Sequence, residues 1–255
     1  MSRRVRSGLF LVAAAVFAFL LIWGLLGLPD FGDYRGPYGD VLQQVALPER
    51  HTPQVVGATT FDYRGFDTLG EEFILFAAAL GAVVLLRQQR GEEKDEEEEQ
   101  DHPADRQRRD TSDALRLLGL GLVGPLVVLG LYVIVHGHLT PGGGFQGGVV
   151  LASAFVLVHV AGRYLILQRV RPMPLVEITE AGGAAGFVLV GLGGMIAGST
   201  FLFNFLPLGE PGTLLSAGMI PLLNISVGLE VAGAVVLLFS EFLEQWLLRG
   251  RGGGA

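Results

Sequence analysis

The groups in this 255-residue chain that can do chemistry are ionisable side chains set inside long apolar runs. Glu230 is the sharpest of them. It stands eight residues past Leu222, about 12 Å along a helix at 1.5 Å per residue, among polar and small neighbours from Asn224 to Gly233. A carboxyl at membrane depth is costly, and it marks either an ion pathway or a paired structural contact. His159 lies ten residues into the run that opens at Val149, where it relays protons or donates one hydrogen bond to a neighbouring helix. Glu177 and Glu180 share one face of the turn that opens the next run. They serve either as N-terminal caps or as an ion entrance. Glu241 and Glu244 share a face near the end of the last run and read as interfacial and solvated. Nearer the N-terminus, Asp62, Arg64, Asp67 and Glu71 cluster at a span boundary. They form an ion-pair network with Thr68 and Glu71 as a capping box, or the charged outer mouth of a cation path.

Six apolar runs have to position these groups: Gly8–Leu28, Leu69–Leu86, Leu117–Val135 with a kink expected at Pro125, Val149–Leu167, Ala181–Leu206 and Leu222–Leu248. Each is near or above the roughly 18 residues that span a hydrocarbon core of about 30 Å. The fold class is therefore an all-α integral membrane protein with about six transmembrane helices. Fifteen of the eighteen Lys and Arg residues fall on one side of this topology, and only Arg35, Arg50 and Arg64 fall on the other. Both termini are expected in the cytoplasm, in a cell membrane. The apolar core of the first run, about 20 residues, exceeds that of a cleaved signal, so a retained helix is expected.

The organisation reads as bipartite. Residues 1–86 form a two-span unit. Residues 87–111 form a charged linker around the acid run 92–99, which repels itself and reads as a solvated tether. Residues 112–248 form a four-span unit, and 249–255 a short tail.

Between the third and fourth runs lies Gly137-His138-Leu139-Thr140-Pro141-Gly142-Gly143-Gly144-Phe145-Gln146-Gly147-Gly148. Its glycines and Pro141 predict a re-entry loop rather than helix. His136-x-His138 has no cysteine or nearby acid and reads as a loop histidine bonded to backbone, not a metal site. The glycines of the fifth run, with Gly194-x-x-x-Gly198, predict close helix contact.

The absence of cysteine excludes disulfides, thiolate metal sites and cysteine nucleophiles. There is no phosphate loop, His-Glu-x-x-His or Gly-x-Ser-x-Gly motif. No enzymatic activity, cofactor or nucleic-acid partner is implied.

The stretch Gly137–Gly148, together with Asn224-Ile-Ser-Val-Gly-Leu-Glu230, resembles the MnhB/MrpB family, the B-type subunits of the Mrp-type multisubunit Na⁺/H⁺ antiporters, over residues 112–248. Asp62-Tyr-Arg-Gly-Phe-Asp-Thr-Leu-Gly-Glu71 resembles the C-terminal end of the A-type subunits, a piece that also occurs as the small E-type subunits of membrane-bound hydrogenases. The family pattern often has lysine at the position of Glu230. The resemblance implies a small membrane subunit that lines or supports a cation path, with Na⁺ and H⁺ as cargo and complex I-like membrane subunits as partners. The ion-path candidates, read from the ionisable residues in and beside the spans, are Glu230, His159, Glu71, Asp67, Glu177 and Glu180. The implied structural motif is His138, Pro141, Gly142, Gly143, Gly144, Phe145 and Gly148. Two alternatives remain open: the same module in a redox complex such as a membrane-bound hydrogenase, or a scaffold that moves no ion.

Overall fold

The computed structural model describes residues 3–28, 30, 32, 36–91, 112–161 and 173–252. The acid run 92–99 and the end of the fourth apolar run lie outside the described residues. The chain forms two compact units, Met1–Val41 and Leu42–Ala255. In the first, α1 (Arg3–Leu26) is uncharged from Ser7 onward, and its described side chains are all exposed. An apolar helix with no buried face is suited to lipid.

The second unit starts within α2 (Pro37–Arg50), a largely polar helix that hydropathy does not reveal; it buries Leu42 and Ala46. A short α3 (Val55–Ala58) and one π-helical turn (Thr59–Tyr63) lead into α4 (Gly65–Gly91). Then come α5 (Asp113–Val135), α6 (Gly144–Ala161), α7 (Met173–Ile196) and α8 (Ile220–Gly252). Among the described residues, five helices are long and apolar enough to cross a membrane: Ser7–Leu26, Gly65–Leu86, Asp113–Val135, Pro174–Ile196 and Ile220–Leu243. Within α6 the described apolar stretch is shorter, Gly144–Val158. No strand occurs among the described residues.

α8 is the axis of the second unit. It packs against α4, α6 and α7, and buries Leu223, Val227, Val231, Val236 and Leu237. Glycine sets the spacing. A Cβ at Gly148 of α6 would come within 2.8 Å of Val231 Cβ and 2.9 Å of the Gly228 carbonyl, so α6 and α8 lie side by side, running parallel. A Cβ at Gly147 would come within 2.8 Å of the Gly130 carbonyl on antiparallel α5. The second half of the glycine-rich stretch is therefore helical, not loop as expected. Its glycines cost helix propensity but let three backbones touch. α5 continues through Pro125.

The fifth span is shifted from its expected place. α7 occupies Met173–Ile196 rather than Ala181–Leu206, because Gly198 turns the chain with φ +86° and residues 197–219 fold back. The return loop fills the glycine face of α7. A Cβ at Gly191 would come within 2.6 Å of the Phe201 ring, and one at Gly194 within 2.7 Å of the Phe203 nitrogen. Gly194-x-x-x-Gly198 thus accommodates the chain's own loop and a turn, not a second helix.

Replacing Gly148 by Ala should lower thermal stability in detergent by roughly 1–3 kcal/mol, the usual cost of overpacking. Gly121→Ala, where nothing lies within 4 Å, should leave the melting temperature unchanged or slightly raised. Equal behaviour of the two variants would contradict the packing described here.

Candidate ion-path site

Three helices bring carboxyls together around α8. On α4, the buried stripe Thr68, Glu72, Ala79 and Val83 faces the bundle. Glu72 is 3% exposed, whereas its neighbour Glu71 stands about 100° round the helix and is exposed together with Asp67 and Ile74. The expected site residue Glu71 therefore lies outside the cluster, and Glu72 takes its place. Glu230 is 0% exposed and Glu180 of α7 is 6% exposed. α4 and α7 both pack against α8, and the Glu72 and Glu180 carboxyls lie close enough to Glu230 to act on it electrostatically. Among the described residues, Glu72 Oε2, Glu180 Oε1 and both Glu230 oxygens are buried without completing a well-formed hydrogen bond.

The α7–α8 crossing holds this arrangement in place. Gly183 lies against the backbone of Glu230 and the Ser226 carbonyl, and Gly233 lies against the backbone of Glu180. Glu177 and Glu180 are not caps, because α7 opens at Met173 and both carboxyls lie beyond its first turn. Glu241 is buried rather than solvated. It stands 11 residues after Glu230, three helical turns along the same face of α8. His159 lies on α6, but its side chain is outside the described residues, as is that of Glu244.

At the opposite end, three loops lock together. The Asn224 side chain accepts from the Gly144 N–H at 2.8 Å and donates to the Ile220 carbonyl at 3.1 Å. The Thr52 hydroxyl donates to the His138 carbonyl, and the Gln54 amide donates to the Gly142 carbonyl at 3.3 Å. The Gln54 oxygen caps α3 by accepting from the Gly57 N–H. His138 is fully buried, with Nε2 3.3 Å from the Thr213 carbonyl. That partner assigns the proton to Nε2. The histidine does bond to backbone, as its sequence context suggests, but to a loop 75 residues away. Burial lowers its pKa below the usual histidine range. Pro141 is exposed in the turn, and Phe145 is exposed on α6.

The expected network Asp62–Arg64–Asp67–Glu71 is divided. Arg64 pairs with Asp67 on the exposed surface, three residues apart. Asp62 turns inward instead: it accepts from Arg50 Nε at 2.6 Å and from Asn204 Nδ2 at 2.8 Å. Arg50 also stands 5.0 Å from the centroid of the Tyr63 ring. The Tyr63 hydroxyl donates to Glu49 at 2.9 Å, and burial together with that carboxylate pushes its pKa up to about 12. Thr68 does not cap α4, which already begins at Gly65; its hydroxyl donates to the Thr60 carbonyl at 2.6 Å. No group of three His, Asp or Glu side chains suited to a metal ion occurs among the described residues.

A family model described as a domain related to the MnhB subunit of Na⁺/H⁺ antiporter matches residues 114–237. The chain is also similar, over nearly its whole length, to one in the structure of the membrane-bound sulfane sulfur reductase, an archaeal respiratory membrane complex. The identity is 30% and the TM-score 0.70, covering 94% of this chain and 98% of that one. The chain carries an MnhB-related domain. The Na⁺/H⁺ antiporter B subunit of Bacillus subtilis is 31% identical over 93 residues, or 36% of this chain and 64% of that protein. The probable K⁺/H⁺ antiporter A/B subunit of Rhizobium meliloti is 28% identical over 211 residues, or 75% of this chain and 20% of that protein. This MnhB-related chain is a multi-pass membrane protein, a subunit of antiporter type within a multisubunit membrane complex. The MnhB-related stretch runs from α5 into α8, so it contains Glu180 and Glu230 but neither Glu72 nor Glu241.

His138 makes stability depend on pH with a defined sign. The folded chain keeps the ring neutral, so below the ordinary histidine pKa of about 6.5 the unfolded chain takes up a proton that the folded chain refuses. Melting temperature should therefore fall as pH drops below about 6.5. His138→Gln should reduce that dependence while lowering stability at pH 8.

Proposed function

We propose that this chain is a subunit of a multisubunit Na⁺/H⁺ antiporter and lines its ion path through Glu72, Glu230 and Glu180. The observation that carries the reading is the meeting of three buried carboxyls from three helices in one bundle, with four oxygens that complete no well-formed hydrogen bond among the described residues. Such oxygens are expensive in an apolar interior and are kept where a proton or cation occupies them in turn. The Bacillus relative's name supports Na⁺ and H⁺ as the exchanged ions.

In this reading residues 1–86 are the end of an A-type subunit joined to a B-type one, and 87–111 is the tether. The Rhizobium A/B protein, whose match spans 75% of this chain, supports a fusion of the two. Complex I-like membrane subunits are the partners. The basic ends of α4 and α8 face the cytoplasm of a cell carrying the complex in its plasma membrane. Glu71 and Asp67, exposed on α4, face a neighbouring chain of the complex, because a carboxylate in a span is unfavourable against lipid.

In vesicles holding the intact complex, Glu230→Gln and Glu72→Gln should each lower Na⁺-driven proton exchange by about tenfold or more while the complex still assembles. Full exchange by Glu230→Gln would refute the path reading and favour a scaffold. A redox-driven complex is the second reading, supported by the near full-length likeness to a chain of the sulfane sulfur reductase complex. Purification through a tag on this chain decides between them. Large antiporter subunits without redox proteins are expected, whereas co-purified iron–sulfur subunits would move the chain to the second reading.

A further inference from the structure

α7 and α8 cross through a reciprocal contact that neither helix would suggest alone. Glu180-Ala181-Gly182-Gly183 and Glu230-Val231-Ala232-Gly233 run antiparallel, each presenting a glutamate followed three residues later by a glycine. Each glycine receives the other helix's glutamate backbone. A Cβ at Gly233 would come within 2.8 Å of both Glu180 Cβ and Glu180 N, and one at Gly183 would collide with Glu230 N. Both glutamates therefore stand at one backbone-to-backbone crossing, with their carboxyls buried beside it. Glu180 lies level with Gly233, three residues or about 4.5 Å along α8 from Glu230. Glu72 joins Glu230 from α4 on the other side.

This geometry suits one ion better than another. A carboxylate can only accept hydrogen bonds, and a carboxyl donates one only when protonated. A bond between the buried Glu72 and Glu230 carboxyls, on helices that pack together, would therefore use a proton. A hard metal cation needs several oxygens converging on one point, and Glu72, Glu180 and Glu230, though in one bundle, do not form such a ligand set.

We propose that Glu72, Glu230 and Glu180 form a proton wire, and that the alkali cation crosses elsewhere in the assembly. The proposal rests on the ion-path reading above and names the species carried. In the central step the O–H bond of protonated Glu230 breaks as an O–H bond forms on the Glu180 carboxylate. The negative charge moves to Glu230, and no redox change occurs. Glu72 then reprotonates Glu230. Glu177, one turn nearer the start of α7, and Glu241, buried further along α8, continue the file toward the end where α4 and α8 finish. Glu177 also faces Glu180 electrostatically, and Glu71 faces Glu72, so both belong to the charge environment of the wire.

The test uses the intact complex in lipid vesicles and infrared difference spectroscopy of protonated carboxyl groups. In the wild type, a pH step at constant Na⁺ should change a carboxylic C=O band that Glu230→Gln removes, and exchange of choline for Na⁺ at constant pH should leave that band unchanged. Glu180→Gln should remove part of the pH-dependent band and slow Na⁺-driven proton movement by about tenfold or more, with Glu180→Asp restoring part of both. A response of that same band to Na⁺ at constant pH would show that the cation binds here and overturn the proposal. Wild-type exchange by Glu180→Gln, with Glu230→Gln inactive, would remove Glu180 from the wire yet leave the path reading intact. Wild-type exchange by both variants would end both.

Discussion

Where Gly183 meets the backbone of Glu230 and Gly233 meets that of Glu180, α7 and α8 touch with no side chain between them. α6 meets α8 on another side through Gly144 and Gly148 in the same manner. Within a bilayer no hydrophobic force drives helices together, so close backbone packing has to supply the attraction. A helix held this closely by its neighbours has little room for large residues, and α8 is buried over much of its length for that reason. The same closeness keeps Glu230 from rotating away to a polar surface. The carboxyl is trapped by the packing, and its neighbours must supply whatever it exchanges with.

The loop end is built by the opposite means. There polar side chains join backbone segments that are far apart in sequence: Thr52 and Gln54 to the glycine-rich loop, Asp62 to Asn204, and Asn224 to the start of α6. Each uses a buried or half-buried group to satisfy a donor or acceptor that water does not reach. All but the last cross between the part of the chain before the acid run and the part after it. Residues 42–91 and 112–252 therefore cohere through their own contacts, independently of the tether between them. The bonded loop end fixes α4, α6 and α8 in register around the buried carboxyls of Glu72, Glu180 and Glu230.

The apolar runs make the helical membrane fold readable from the chain alone, because a charge-free stretch of 18 or more residues has few other uses. The depth of Glu230 in such a run is equally readable, and the glycine-rich stretch is readable in part, since its first half is a turn but its second half is helix. The end of α7 is not. Phe201, Phe203 and Phe205 are as apolar as a helix interior, and hydropathy cannot tell a span from a return loop that packs against it. The choice between Glu71 and Glu72 is hidden because adjacent residues differ by about 100° on a helix and both sit at the same depth. A stripe of Thr68, Glu72, Ala79 and Val83 holds the signal, but Asp67, Glu71 and Ile74 form an equally regular alternative.

The sequence by itself determined that this chain is helical, crosses a membrane and carries carboxyls at depth, because local hydropathy and residue chemistry decide those properties. Only the tertiary structure decided which carboxyls meet. Glu72, Glu180 and Glu230 lie on three helices separated by more than 150 residues of chain from first to last. Their meeting depends on which helix face each neighbour covers, and glycine positions that look alike in the sequence differ in whether a backbone, a ring or open space lies opposite.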